Sequence, residues 1–198
     1  MEDDDPGGMA ERYAEMARVN FERDGELAPI LAIHGRERAA ICLMKGSEDM
    51  PLAYGRTVSL AATIINPIYV ITVTEVWMKE YKAVSEEDGR READRVRRGD
   101  LGRMAEAGDE TVRTALMTIA WTMDPTKAVA VIDKVLDDKT YDRNTSIGEQ
   151  EGYMIECVIG GWKHGLTLPP PPFDLSAEQA ASVLGIGGDV IGVLMEAV

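Results

Sequence analysis

Apolar side chains recur along this chain at two rhythms, and each predicts a different local structure. Tyr13, Met16, Ala17 and Phe21 return at intervals of three and four, with Glu11, Arg12, Glu15, Arg18 and Glu22 between them. That spacing predicts an amphipathic helix over residues 10–23. Asp24-Gly25 is its expected stop, because glycine enters a left-handed C-terminal cap without a Cβ clash. Residues 27–33 and 39–44 are short apolar runs joined by His34-Gly35-Arg36-Glu37-Arg38, which predicts a hairpin. Residues 51–65 predict a helix with Leu60, Ile64 and Ile65 on its apolar side, ended ahead of Pro67. Residues 68–78 carry the strongest two-residue alternation in the chain. Ile68, Val70, Thr72, Thr74, Val76 and Met78 take one face; Tyr69, Ile71, Val73, Glu75 and Trp77 take the other. Both faces are largely apolar, which predicts a central strand covered on both sides.

The pattern then breaks. Residues 79–110 are charge-dense and punctuated by glycine, and predict a surface excursion with one or two short helices. Residues 114–123 alternate again, with Ala115, Met117, Ile119, Trp121 and Met123 toward the core and Thr114, Thr118 and Thr122 opposite. Asp124-Pro125-Thr126-Lys127 predicts a type I turn into an antiparallel partner over residues 128–136. Residues 137–152 predict a polar loop and residues 153–159 a last strand, with Ser146 and Glu149 as an alternative box at a helix start. Four consecutive prolines stiffen residues 166–173. The expected layout is an acidic disordered tail (1–8), an α+β domain (9–165), a proline-rich spacer (166–173) and a helical hairpin (174–198). The fold class is α+β: a mostly antiparallel sheet of five or six strands with flanking helices.

Charge narrows the partners. The 198 residues carry a net charge of −14, and none of the broad segments 1–30, 31–80, 81–110, 111–160 and 161–198 is net positive. Such a field slows approach to nucleic acid or an anionic membrane, so neither is expected as a partner. The N-terminus is acidic and no run approaches the roughly 18 apolar residues of a membrane span. A cytoplasmic protein is therefore expected, with Cys42 and Cys157 reduced and packed in apolar surroundings.

The candidate chemistry is sparse. Glu75 shares a strand face with Tyr69, Ile71, Val73 and Trp77. A carboxylate so placed would be an acid or base at a pocket edge, or the partner of Arg113 or Arg103. Arg90, Arg91, Arg95, Arg97, Arg98 and Arg103 form a basic run, of which Arg95, Arg97 and Arg98 are the candidates for anion binding. Interleaved acids favour a solvated face instead, and no aromatic residue stands among them to stack on bases. His34 and His164 are isolated, with no metal-ligand spacing, and turn or surface roles are expected for both. No His-Glu-x-x-His, Cys-x-x-Cys, phosphate-binding loop or Gly-x-Ser-x-Gly elbow is present, so neither cofactor nor metal is expected.

Two stretches are similar to known proteins. The helix before Leu27-Ala28-Pro29-Ile30 and the strand ending Thr74-Glu75-Val76-Trp77-Met78 resemble bacterial and phage α+β proteins without an established activity, over residues 20–80. Residues 176–195 resemble the helix-turn-helix of excisionase-like DNA-binding proteins. Ala181 matches the small residue at the helix crossing, Gly185 the turn, and Ile191 and Leu194 the buried side of a second helix. That resemblance implies DNA binding, but the matching segment has no Lys or Arg to contact bases or phosphates. Its apolar end, with Val190, Ile191, Leu194 and Met195, is expected to contact the domain or another subunit. The leading expectation is a non-catalytic accessory or interaction protein that associates with itself or another protein. The alternatives are a DNA-binding factor using residues 176–195 and a small hydrolase or transferase using Glu75.

Overall fold

The computed structural model describes residues 5–45, 49–79, 81–97, 104, 107–108, 110–136, 140–148, 153–172, 174–185 and 190–197. Its framework is one antiparallel sheet of seven strands with helices on both faces, an α+β fold.

Helix α1 (Pro6–Asp24) starts where Asp5 accepts a hydrogen bond from the Gly8 amide at 2.7 Å and proline takes the first helical position. The expected tail through residue 8 is therefore too long, because Asp5 and Pro6 together supply a helix start. Gly25, at φ 79°, closes α1 in the left-handed region. The hairpin follows as β1 (Ile30–His34) and β2 (Arg38–Met44). Helix α2 (Met50–Ile64) begins at an Asp49 cap and leads into β3 (Tyr69–Lys79). The charged excursion contains α3 (Glu86–Arg97). Then come β4 (Val112–Trp121), a single turn at Pro125–Lys127, β5 (Val129–Val135) and β6 (Tyr141–Ile147). At that turn, the Thr126 hydroxyl and amide both donate to Asp124 and hold its carboxyl below the usual carboxylate range. Helices α4 (Tyr153–Gly165) and α5 (Ala177–Gly185) precede β7 (Val190–Ala197).

The strand order is β6-β5-β4-β3-β1-β2-β7, so β3 and β4 lie at the centre and β6 and β7 at the edges. As their two apolar faces require, the central strands separate two cores. Ile71 and Val73 of β3 and Leu116 and Ala120 of β4 meet Met9, Ala10, Tyr13, Ala14 and Ala17 of α1. Val70, Ile119 and Trp121 face the other way, toward Tyr54 and Val58 of α2 and Val158 and Trp162 of α4. Two of the buried polar groups there find partners: Trp121 Nε1 donates to Thr72 Oγ1 at 3.1 Å and the Tyr54 hydroxyl donates to the Val73 carbonyl at 3.3 Å. Burial raises the Tyr54 hydroxyl pKa and pushes the Cys42 thiol up to about 12.

Three further expectations need correction. Residues 153–159 are helix, not strand. Met154, Ile155, Val158, Ile159 and Trp162 form a helical stripe toward the core, and two glycines on α4, Gly161 and Gly165, serve a helix–helix contact. Residues 141–147, read as loop, are the edge strand β6. One side chain after another is polar there because most of the strand faces water, and its order comes from the ladder to β5. The C-terminal helical hairpin is one helix and one strand. Val193 and Met195 alternate onto the α2 side opposite Cys42 and Ala40 of β2, which needs a two-residue period and not a helical one.

Helices α2 and α4 touch backbone to backbone. A Cβ on Gly161 would lie 2.0 Å from the Gly55 carbonyl oxygen, and one on Gly165 2.2 Å from that of Ser59. A Cβ on Gly55 would lie 2.5 Å from the Cys157 carbonyl oxygen, whereas one on Gly160 would meet nothing within 4 Å. Gly161→Ala is thus expected to destabilise the fold by about 3 kcal/mol through overpacking. Gly160→Ala should instead add up to about 1 kcal/mol of helix propensity. Urea unfolding of the two variants reads the difference, and equal effects would contradict the close helix contact.

Candidate functional site

Glu75 is half-buried near the end of β3, opposite Leu116 of β4. Its Oε2 accepts the Leu27 amide at 3.2 Å, so the carboxylate fastens the segment that feeds β1. It also borders a shallow hollow of about 250 Å³ with Val76 and the half-exposed Trp77. That position gives it a structural hydrogen bond and an open surface, without an adjoining base or nucleophile among the described residues of the hollow's lining.

Arg95 and Arg97 lie on α3, while Arg98 and Arg103 fall outside the described residues. Arg90, one turn from Glu86 on α3, pairs with it, and Arg91 is exposed. The helix is fastened to β3 by a Lys79–Glu92 ion pair of 2.8 Å, nine-tenths covered on both sides. His34 shares a 2.9 Å hydrogen bond with the Tyr13 hydroxyl, joining the end of β1 to α1. Among the described residues, no group of three or more His, Cys, Asp or Glu side chains is placed to hold a metal ion. No described helix is long and apolar enough to cross a membrane.

A groove of about 600 Å³ runs along the outer side of the α2–α4 contact. Gly55, Gly160 and Gly161 lie along it, Leu52, Leu60 and Leu168 supply apolar surface, and Arg56, Glu156 and His164 are its charged or polar points. Cys157 is half-buried beside it. The volume is within the range of ligand pockets. The bare helix backbones that open it follow directly from the glycine contact.

The most densely bonded polar cluster escaped the sequence reading. Asp133 on β5 is fully buried and directly opposite Arg143 on β6. Arg143 donates to it twice, at 2.7 Å from both Nε and Nη2, and its remaining Nη1 reaches Glu11 of α1. Arg18 of α1 brings Nε to 3.8 Å from the same carboxylate and lies over the Tyr141 ring at 5.6 Å. The Asp133 hydrogen bonds, reinforced by its charge, raise the Arg143 pKa. A signal was present: Val129, Val131, Asp133 and Val135 form one alternating row, with a carboxylate where an apolar residue is expected. This cluster binds α1, β5 and β6 together.

The last candidate is the sheet edge. β7 pairs on one side with β2, and among the described residues no strand lies on its other side. Residues 190–197 contain Glu196 as their one charge and no proline. β6, at the opposite edge, carries Asp142 and Arg143, both held in ion pairs with β5. Edge charges and prolines are the usual guards against strand pairing, and β7 nearly lacks them. Val190, Val193 and Met195 pack toward α2 and α5, but Leu194 stays 54% exposed and Leu43 of β2 37%. Both are on the α1 side of the sheet, where α1 covers β3, β4 and β5 and stops short of β2 and β7. Of the predicted contact residues, Val190, Ile191, Leu194 and Met195 all belong to this strand, so they stand along one edge and not on a helix. The helix-turn-helix that would have carried DNA recognition is replaced by this helix–strand unit.

The chain matches no protein-family model, no curated protein and no solved structure.

Removing Arg143 should leave the buried carboxylate with only the more distant Arg18, 3.8 Å away, and expose the cost of losing its bidentate partner. Arg143→Met is expected to destabilise the fold by about 3 kcal/mol, the range for breaking a buried pair. Adding Asp133→Asn to it should restore part of that loss. Denaturant unfolding of both variants checks this; a double variant no more stable than Arg143→Met alone would contradict the assignment.

Proposed function

We propose that this is a non-catalytic accessory protein that acts through protein–protein contact and associates with itself at the outer edge of β7. The observation that carries the reading is the unguarded edge strand itself, with Leu194 and Leu43 exposed beside it. A row of unpaired backbone donors and acceptors next to apolar side chains is the surface that strand addition uses. Glu75 supports the non-catalytic part, because its carboxylate is engaged by the Leu27 amide. The absence of Lys and Arg from residues 186–198 weighs against phosphate contact by the C-terminal segment.

Electrostatics makes the reading specific. Two copies at −14 each repel one another, and salt screens that repulsion. An apolar, backbone-bonded contact should therefore strengthen as salt rises, where an ion-paired contact would weaken. Sedimentation of the full chain across protein concentration is expected to show a reversible dimer that tightens between low and physiological salt. Leu194→Lys should weaken it by about tenfold or more, since like charges across paired strands repel. A chain that stays monomeric throughout would overturn the proposal.

A further inference from the structure

The regular part of β7 is short, so few registers pair it with a copy of itself. We infer that two chains join through antiparallel β7 strands about a two-fold axis at Leu194, making one continuous sheet from two seven-stranded halves. The inference rests on the self-association proposed above and specifies its partner surface.

Residues directly opposite in an antiparallel pair lie on the same sheet face, and successive residues alternate faces. A two-fold axis must therefore coincide with a residue and not fall between two, or every pair would mismatch faces. β7 runs in unbroken register with β2 from Gly192, opposite Leu43, to Ala197, opposite Arg38; the register breaks between Leu43 and Met44. That leaves residues 192–197 as the regular stretch. An axis at Val193 would run the new ladder into the irregularity after only one pair on either side. An axis at Met195 would put Glu196 opposite the partner's Leu194, a charge against an exposed apolar side chain.

An axis at Leu194 avoids both. Leu194 then meets the partner's Leu194, Val193 meets the partner's Met195, and Gly192 meets the partner's Glu196. The two exposed leucines cover one another, with Leu43 of each chain alongside. The Val193–Met195 pairs extend the apolar layer under α2 and α5 across the joint. Gly192, whose added Cβ would meet only Leu43 Cβ at 3.8 Å, places no side chain opposite the acid. The two Glu196 positions are four residues apart along the ladder, about 14 Å at 3.4 Å per residue. That exceeds the Debye length of roughly 8 Å at physiological salt, so their repulsion is largely screened. The closed two-fold contact also consumes both free β7 edges and stops growth at a dimer on that side.

Cysteine placement tests the register. In the full chain with Cys157→Ser, Leu194→Cys and Glu196→Cys are each oxidised mildly and run on a non-reducing gel. Leu194→Cys is expected to form a covalent dimer readily, because directly opposite residues lie within disulfide reach. Glu196→Cys is expected to stay uncross-linked, since about 14 Å is well beyond the roughly 7 Å Cα limit. Cross-linking of both, of Glu196→Cys alone, or of neither, in a chain that sediments as a dimer, would overturn the register while leaving self-association standing. A monomeric chain would remove both.

Discussion

Everything in this fold follows from a sheet whose central strands are apolar on both faces. β3 and β4 cannot leave either side to water, so one side must be closed by α1 and the other by α2 and α4. The hairpin β1–β2 and the pair β5–β6 extend the sheet in opposite directions from that centre. The further a strand lies from the centre, the less of it the helices cover. Edge behaviour is therefore a consequence of how far each helical layer reaches, and the two edges solve it differently.

At the β6 edge the solution is electrostatic. Asp133, sealed beneath α1, is neutralised by the fork of Arg143, which also holds Glu11. A buried carboxylate is costly alone and tolerable when bidentately paired, so the cluster fixes the register of β6 and the seat of α1 together. On the opposite face the fit is steric. Gly55, Gly161 and Gly165 let α2 and α4 approach until backbone meets backbone, which brings both helices down onto the sheet and leaves the groove outside them. Those glycines lower helix propensity, a local cost of about 1 kcal/mol each that the contact offsets.

Much of this was legible in the sequence where periodicity was strong. The two-residue alternation of Ile68 to Met78 marked the central strand, and the helix around Tyr13 and Ala17 read correctly because its apolar stripe meets the sheet. Legibility failed where pairing, not pattern, decides the structure. β6 has polar residues at nearly every position, and its strand form comes from hydrogen bonds to β5 that no local rule contains. Residues 153–165 carry an apolar stripe that also fits a short strand; the three- and four-residue spacing of Ile155, Val158, Ile159 and Trp162 was the helical clue. β7 has a mixture of Val, Ile, Leu and Met that suits either period, and the free edge of β2 settles it. Of the candidate residues, Glu75 was correctly placed on a strand but its Leu27 partner comes from a distant segment. Leu194 was one of four residues expected to contact the domain or another subunit, although on the wrong kind of element.

Among the described residues, the β7 edge has no strand over it and Glu196 as its one charge. Hydrogen exchange of the peptide spanning residues 190–197, followed by mass spectrometry at high and low protein concentration, measures its state directly. If a second β7 covers the edge, its outward amides exchange markedly more slowly in the concentrated sample and lose that protection on dilution. Exchange that is fast and independent of concentration would contradict the account.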